Sequence, residues 1–468
     1  MKIGIKEKIG YGLGDMSSSM FWKLFGMYLL YFYTDVFGIS AAAVGTMFLI
    51  TRIWDSLNDP IMGIVSDRTQ TRWGKFRPYI LWMALPFGLI GTLTFTTPSG
   101  WTELNKLIYA YVTYTLMMMI YTGINVPYAS LLGVMTSDPK QRTILSSYRM
   151  FFAYLGSFVA LMMIEPLISY FTSLNGITLS EGWTYAVSVI AVICVFLFFG
   201  CFYLTRERVK AKQENNNSLK EDLKDLLMNK PWWILLGAGI SALIFNSIRD
   251  GATIYYFKYF VQRTDNITFL DTGFAFTFSS LYLMLGQASN ILGVSLAAPL
   301  ASVFGKKNTY MFSMLIATIL SVAFFFLKPD QLIGIFILQA LISICAGSIF
   351  PLLWSMYADI ADYSELKTGR RATGLIFSSS SMSQKFGWTI GGALTGWLLA
   401  IFGFQANVVQ NESAITGIRL MLSLLPAIGT LSSVILISFY PLSEKKMSSV
   451  VQELEDVRNR ELKKAYSA

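Results

Sequence analysis

Apolar residues gather along the chain into long runs at about 11–36, 42–66, 78–98, 105–135, 149–173 and 184–205. A second set follows at about 231–262, 272–302, 308–327, 332–358, 373–404 and 415–441. A helix needs about 20 mostly apolar residues to cross the hydrocarbon core of a bilayer, so each run predicts one membrane-spanning helix. Arg206 to Lys230 separates the two sets and is the longest polar stretch, with Gln213-Glu214-Asn215-Asn216-Asn217 near its middle. Leu219, Leu223, Leu226 and Leu227 among Lys and Asp predict a short amphipathic helix there. The pattern therefore predicts an N-terminal six-helix bundle over 1–205, a cytoplasmic central loop over 206–230, a C-terminal six-helix bundle over 231–442 and a cytoplasmic tail over 443–468.

The loops alternate in charge. One side collects Lys2, Lys6 and Lys8, the Arg68–Arg77 loop, Lys140 and Arg142, the central loop, Lys306 and Lys307, Lys367, Arg370 and Arg371, and the basic tail. The other side carries only scattered charges: Glu103, Lys106, Glu181, Arg263, Asp265, Lys328, Asp330 and Glu412. Cytoplasmic loops hold the excess of Lys and Arg, so both termini are expected in the cytoplasm. Gly63-x-x-x-Asp67-Arg68 after the second run is faintly echoed by Phe304-Gly305-Lys306-Lys307 after the eighth. Two halves related by a parallel repeat would give such an echo, and so would any basic loop.

Composition narrows the class further. Of 468 residues, 54% are hydrophobic and 14% charged, and mean hydropathy is +0.51, too apolar for an aqueous fold. Lipid is the expected solvent, and the net charge of +9 reads as a topology signal rather than a nucleic-acid surface. The chain has no histidine, which excludes His-based catalysis and most metal sites. Cys194, Cys201 and Cys345 lie in apolar runs without metal-ligand spacing. Met1 to Lys8 is short and basic and the run after it is a full span, so no cleavable signal is expected. No Gly-x-x-x-x-Gly-Lys-Ser/Thr motif is present, so neither ATP nor another cofactor is expected.

Charges inside the apolar runs are where function is expected, because each costs roughly 2.5 kcal/mol or more when facing lipid. The second run carries Arg52-Ile53-Trp54-Asp55-Ser56-Leu57-Asn58-Asp59-Pro60. Asp55 and Asp59 stand at i and i+4 on one helix face, about 6 Å apart along the axis. Two carboxylates so close repel unless a cation lies between them or one is protonated. Asn58 adds a neutral oxygen, and such a set of hard oxygens suits a small cation or a proton. The competing reading is a structural ion pair between Arg52 and Asp55 at i+3.

Three segments together resemble the glycoside–pentoside–hexuronide:cation symporters: Tyr31-Phe32-Tyr33-Thr34-Asp35, Arg52 through Gly63, and Arg72-Trp73-Gly74-Lys75-Phe76-Arg77-Pro78. Asn125-Val126-Pro127, Ile254-Tyr255-Tyr256-Phe257, Ala358-Asp359-x-x-Asp362-Tyr363 and Lys385 support it, and the similarity runs from Lys6 to about Tyr440. The resemblance implies an all-α membrane protein with the major facilitator fold, 12 transmembrane helices in two six-helix bundles. It implies no enzyme but a functional monomer in a bacterial inner membrane, coupling entry of Na⁺ or H⁺ to uptake of a sugar. The family's cation ligands fall on Asp55, Asn58, Asp59 and Thr122, with Asp55 and Asp59 as the charged metal ligands. Lys385 matches the lysine that links the family's sugar and cation sites.

Around the sugar this chain departs from the galactoside carriers of that family. Their two sugar-binding aspartates are replaced by Ser19 and Asn125, and their aromatic platform by Ala129. A pentoside, glucoside or hexuronide is therefore expected over melibiose. Asp15, Ser19 and Lys23 form an i, i+4, i+8 stripe on the first span, where Asp15 can accept sugar hydroxyls and Lys23 can equally snorkel to a helix end. Tyr31, Tyr121 and Tyr128 are candidates for stacking, and Arg149 opens the fifth span near the family's sugar-contacting arginine. Arg249, Asp250 and Lys258 recur on the seventh span, either to hold an acidic sugar or to pair with each other or across helices. Two other classes remain: a cation-coupled lysolipid transporter, which would share the span-two aspartates, and a membrane-embedded transferase, which would need a catalytic cluster in a sizeable polar loop.

Overall fold

The computed structural model describes residues 3–98, 100–136, 139–208, 224, 226–263, 267–268, 275–368 and 373–466. Its helices in chain order are α1 (Ile5–Met27), α2 (Ala41–Arg68), α3 (Arg77–Thr94), α4 (Glu103–Met135), α5 (Pro139–Ser173) and α6 (Leu179–Leu204). After the central loop come α7 (Lys230–Tyr255), α8 (Phe278–Phe304), α9 (Lys306–Phe324), α10 (Leu332–Thr368), α11 (Thr373–Ile401), α12 (Glu412–Leu422), α13 (Leu424–Ser438) and α14 (Glu444–Tyr466). Wider π turns extend α1 over Phe32–Val36 and α7 over Tyr256–Val261. A short hairpin of β1 (Ile267–Thr268) and β2 (Ala275–Phe276) precedes α8. The amphipathic helix expected over Leu219–Leu227 lies mostly outside the described residues, as do Arg370 and Arg371.

Helices dominate because hydrocarbon offers backbone groups no partner, so each span must satisfy them internally. Their starts follow local chemistry. The Ser40 and Thr102 hydroxyls accept from the backbone N–H of Ala43 and Asn105, and Thr178 with Glu181 forms a reciprocal capping box. Among the described residues, eight helices are long and apolar enough to cross a membrane by length and composition. The spans that fall short include α1, with Asp15 and Lys23, and α2, with Arg52, Asp55 and Asp59, which carry the charges of the candidate site.

Helices α5 and α10 extend past the apolar runs that mark them, starting at Pro139 and ending at Thr368. Hydropathy registers only the lipid-facing turns, so polar turns beyond them pass unnoticed. The tail, expected only as a basic extension, forms α14 and lays Met447, Val450 and Leu454 into a buried cluster with Leu226, Trp232 and Tyr357. Those three positions share one helix face.

Packing groups the chain into two compact units, one of 1–213, 250–287 and 392–419, the other of 214–249, 288–391 and 420–468. In the first, α1 packs on α5 and α6, and α3 on α4 and α6. Phe21 meets Phe87 edge to face at 5.0 Å, and Phe95 stacks on Trp183 at 6.0 Å. In the second, α9 packs on α10 and α13. There the twelfth apolar run is broken at Ser423, and Arg249 donates to the Leu422 carbonyl at the break and to Gln339 Oε1 at 2.8 Å. A carbonyl freed by a helix break needs such a donor at membrane depth.

The two units share one local device. In the first, the Glu207 carboxylate, just past α6, accepts from the backbone N–H groups of Lys75, Phe76 and Arg77 at the start of α3. In the second, Glu444, just past α13, accepts from the N–H of Lys306 at the start of α9. Each capped start follows a glycine with positive φ, Gly74 at 112° and Gly305 at 81°. The internal repeat is thus visible in this geometry more clearly than in the Gly63 echo.

Candidate functional site

The site is built in the first unit from α1, α2, α4 and α5. On α2 the i, i+4 spacing turns Asp55 and Asp59 toward α4, where Thr122 meets both. The Thr122 hydroxyl lies 2.7 Å from Asp55 Oδ1 and 3.0 Å from Asp59 Oδ1. A hydroxyl has one proton, so it can donate to only one of these carboxylates at a time. The other carboxylate oxygen meets the Thr122 oxygen without its proton. The Asp55 side chain is fully buried, which raises the cost of leaving its charge uncompensated.

Asn58 is half-buried on the same helix. Among the described residues no three His, Cys, Asp or Glu side chains converge as metal ligands. Two carboxylates with hydroxyl and amide oxygens suit a hard monovalent ion.

Arg52 connects this oxygen cluster to an aromatic pair. Its Nη1 is 3.9 Å from Asp55 Oδ2, beyond hydrogen-bond length, and its guanidinium stands 4.2 Å from the centre of the Trp22 ring. Trp22 in turn stacks on Tyr121 at 5.5 Å. The ion pair of Arg52 with Asp55 and the gathering of both aspartates on Thr122 therefore coexist. Tyr121 was expected as a stacking residue; Trp22 was not, although it lies three residues beyond Ser19 on α1.

Two helical turns from Trp22 along α1, Asp15 Oδ2 accepts from Arg149 Nε at 3.0 Å. The guanidinium lies 5.3 Å from the Tyr128 ring centre. Tyr128 is buried, stacks on Tyr11 at 4.8 Å and donates to the Tyr11 carbonyl at 2.6 Å, so it forms the floor beneath Arg149. Ser19 and Asn125 are half-buried on the same two helices, α1 and α4. Lys385 is half-buried on α11 and belongs to the second unit.

The charges of the seventh span separate. Asp250 pairs with Lys23 of α1 at 4.0 Å, whereas Arg249 turns to the break after Leu422. Lys258 donates to Asp35 Oδ1 at 2.7 Å, to Asn407 Oδ1 at 2.9 Å and to the Tyr31 hydroxyl at 3.3 Å. Tyr259 also donates to Asp35, and Thr34 to its other oxygen at 2.8 Å. The buried Asp35 and the half-buried Glu165 were not singled out from the sequence. Their signal was available, since each is a carboxylate inside an apolar run.

Long apolar helices with charged side chains placed among them define a multi-pass membrane protein. A family model described as MFS/sugar transport protein matches residues 10–444. The Inner membrane symporter YicJ of Escherichia coli (strain K12) is 35% identical over 462 residues, 98% of this chain and 96% of that protein. The Isoprimeverose transporter of Lactiplantibacillus pentosus is 35% identical over 451 residues, 96% of this chain and 91% of that protein. The Glucuronide carrier protein homolog of Escherichia coli (strain K12) is 32% identical over 452 residues, 96% and 95% of the two chains. Among solved structures, the nucleoside transporter NupG superposes with a TM-score of 0.63 at 15% identity, covering 94% of this chain and all of its own, and shares the major facilitator fold.

The chain belongs to the MFS/sugar transport family and, within it, to the glycoside–pentoside–hexuronide:cation symporters. It is a cation-coupled sugar transporter.

Proposed function

We propose that the chain couples inward movement of Na⁺ to uptake of a pentoside, glucoside or hexuronide, with H⁺ as the alternative coupling ion. The observation that carries this reading is the Thr122 hydroxyl held between Asp55 and Asp59. A monovalent cation there takes Asp55, Asn58, Asp59 and Thr122 as ligands and neutralises the buried carboxylates.

Arg52 supplies the coupling. With the cation present, Asp55 is compensated without Arg52, which keeps its place over Trp22 and holds that ring against Tyr121. The substrate then lies among Asp15, Ser19, Asn125 and Arg149, with Tyr128 backing Arg149. Asp15 and Arg149 offer an acceptor and a planar donor fork to sugar hydroxyls, replacing the paired aspartates of galactoside carriers. Neutralising both ligand sets together lets the two halves, divided at 206–230, exchange access only when both ligands or neither are bound. The protein acts as a monomer in the bacterial inner membrane with both termini cytoplasmic.

Counterflow in reconstituted vesicles tests the reading with labelled isoprimeverose, methyl glucoside, methyl glucuronide and melibiose, each with and without Na⁺. Saturable exchange of one of the first three, accelerated by Na⁺ or by acid, is expected. Robust melibiose exchange, or sugar exchange indifferent to both ions, contradicts it. Cysteines introduced at Asn216 and Gln405 are expected to label from opposite membrane faces.

A further inference from the structure

Lys23, on α1 in the first unit, keeps its donors unspent. Among the described residues its ammonium makes no hydrogen bond. Its ionic neighbour, Asp250 Oδ2, lies 4.0 Å away, beyond hydrogen-bond length. The two side chains are 16% and 21% exposed, so the pair is shielded but not sealed. A lysine among the spans faces protein or a water-filled space rather than lipid, and its three N–H groups remain for a ligand.

Lys23 lies at one end of a polar strip. Asp15, Ser19 and Lys23 follow one another at one-turn intervals, which sets Lys23 about 12 Å along the axis from Asp15. Two aromatic stacks tie α1 to α4 over the same stretch, Tyr11 on Tyr128 at 4.8 Å and Trp22 on Tyr121 at 5.5 Å. Ser19 and Asn125 fall between the stacks on the two helices. Asp15 with Arg149 stands toward the first stack, and Lys23 with Asp250 adjoins the second. The strip therefore carries a charged donor and a carboxylate at each end, with neutral polar side chains between.

One pyranose ring held by Asp15 and Arg149 is too short to reach Lys23 as well, whereas two linked rings span the interval. The charge of Lys23 is balanced by Asp250, so a second ring meets hydrogen-bond donors without a net positive field. A carboxylate on that ring would lie against Asp250 and be repelled. Hydroxyls are the groups this end accepts, because an ammonium gives them charge-assisted hydrogen bonds.

We propose that Lys23 is a specificity-determining residue that binds a second sugar unit, so that the transported glycoside is a neutral disaccharide. The proposal rests on the sugar-transport reading above, with Asp15 and Arg149 holding the first unit. It adds the length of the substrate and the residue that measures it.

Calorimetric titration in the presence of Na⁺ tests it with three matched pairs: xylobiose against methyl β-D-xyloside, cellobiose against methyl β-D-glucoside, and isoprimeverose against methyl α-D-xyloside. In at least one pair the wild type is expected to bind the disaccharide about tenfold more tightly than the methyl glycoside. Lys23→Met, which keeps the apolar stem and deletes the donors, is expected to bring that ratio near one. Lys23→Arg, which keeps a charged donor beside Asp250, is expected to hold the ratio above the Lys23→Met value.

Equal wild-type affinities within every pair, or a ratio that Lys23→Met leaves unchanged, overturn the proposal. The wild-type ratio decides the matter by itself where Lys23→Met does not fold. Equal affinities in a protein that still exchanges sugar in counterflow leave the transport reading standing. A ratio that depends on Lys23 in a protein that exchanges no sugar upholds the second sugar contact and defeats the transport reading.

Discussion

The Glu207 carboxylate closes over Gly74. A side chain built at Gly74 would place its Cβ 2.5 Å from Glu207 Cδ, closer than real Cβ contacts. The arrangement is forced from both sides. Three N–H groups opening α3 need an acceptor, and the chain reaches them only through a positive-φ residue with nothing above its Cα.

Glu207→Gln is expected to lower stability by about 0.5–1 kcal/mol, because an amide keeps one acceptor and loses the charge that favours a helix N-terminus. Gly74→Ala is expected to cost more than about 1 kcal/mol, since strain and contact add. Thermal unfolding of purified protein in detergent checks both. Gly305→Ala, against Glu444 in the other unit, should behave as Gly74→Ala does.

The ion pair of Lys258 with Asp35 predicts a different signature. Lys258→Met leaves a buried carboxylate held, among the described residues, only by the hydroxyls of Tyr259 and Thr34, which is expected to cost about 3 kcal/mol. Asp35→Asn with Lys258→Met should restore part of that loss, because the orphaned charge is gone. A double-mutant cycle on the unfolding midpoint measures the coupling, and additive effects of the two changes would refute a direct pair.

These cases mark what the sequence conveys and what it withholds. Spacing along one helix is legible, so Asp55, Asn58 and Asp59 could be placed on one face from α2 alone. Thr122 was reachable only by resemblance, because it lies on another helix and carries no charge to betray it. Asp15 and Arg149 were each recognised, yet their contact depends on how α1 packs on α5. Arg249 and Asp250 look like a natural pair in sequence. The structure sends them apart because neighbours on a helix point in different directions and each finds a partner on a different element. Trp22 escaped notice since an aromatic in an apolar run ordinarily packs, and its role emerges only with Arg52 above it.

Trp22 yields a prediction that separates affinity from coupling. Trp22→Leu removes the surface on which Arg52 and Tyr121 both lie, while Asp55, Asp59 and Thr122 keep their contacts. Sugar affinity is expected to fall about tenfold, and the remaining binding should respond less to Na⁺ than in the wild type. Cation binding measured without sugar should change little. Loss of cation binding in this variant would place Trp22 in the ion site instead.

Asp59→Asn is the sharpest test of the cation site. The change is nearly isosteric and keeps an oxygen near Thr122, yet it deletes the charge that makes dehydrating a cation worthwhile. The variant should fold, bind sugar and exchange it down a gradient. It should fail to accumulate sugar against a gradient, and Na⁺ should no longer raise its sugar affinity.

If Asp55 and Asp59 served only to compensate Arg52, the same change would act on folding. Arg52 would lose part of its counter-charge, the yield of folded protein would drop, and whatever folded would retain its Na⁺ dependence. Calorimetric titration of sugar with and without Na⁺, on wild type and Asp59→Asn at equal folded fraction, distinguishes the two. Replacing Na⁺ by a pH step in the same titration identifies the coupling ion, since a proton-coupled site shows its affinity change with acid and none with Na⁺. An Asp59→Asn protein whose sugar affinity still rises with the coupling ion would remove Asp59 from the site.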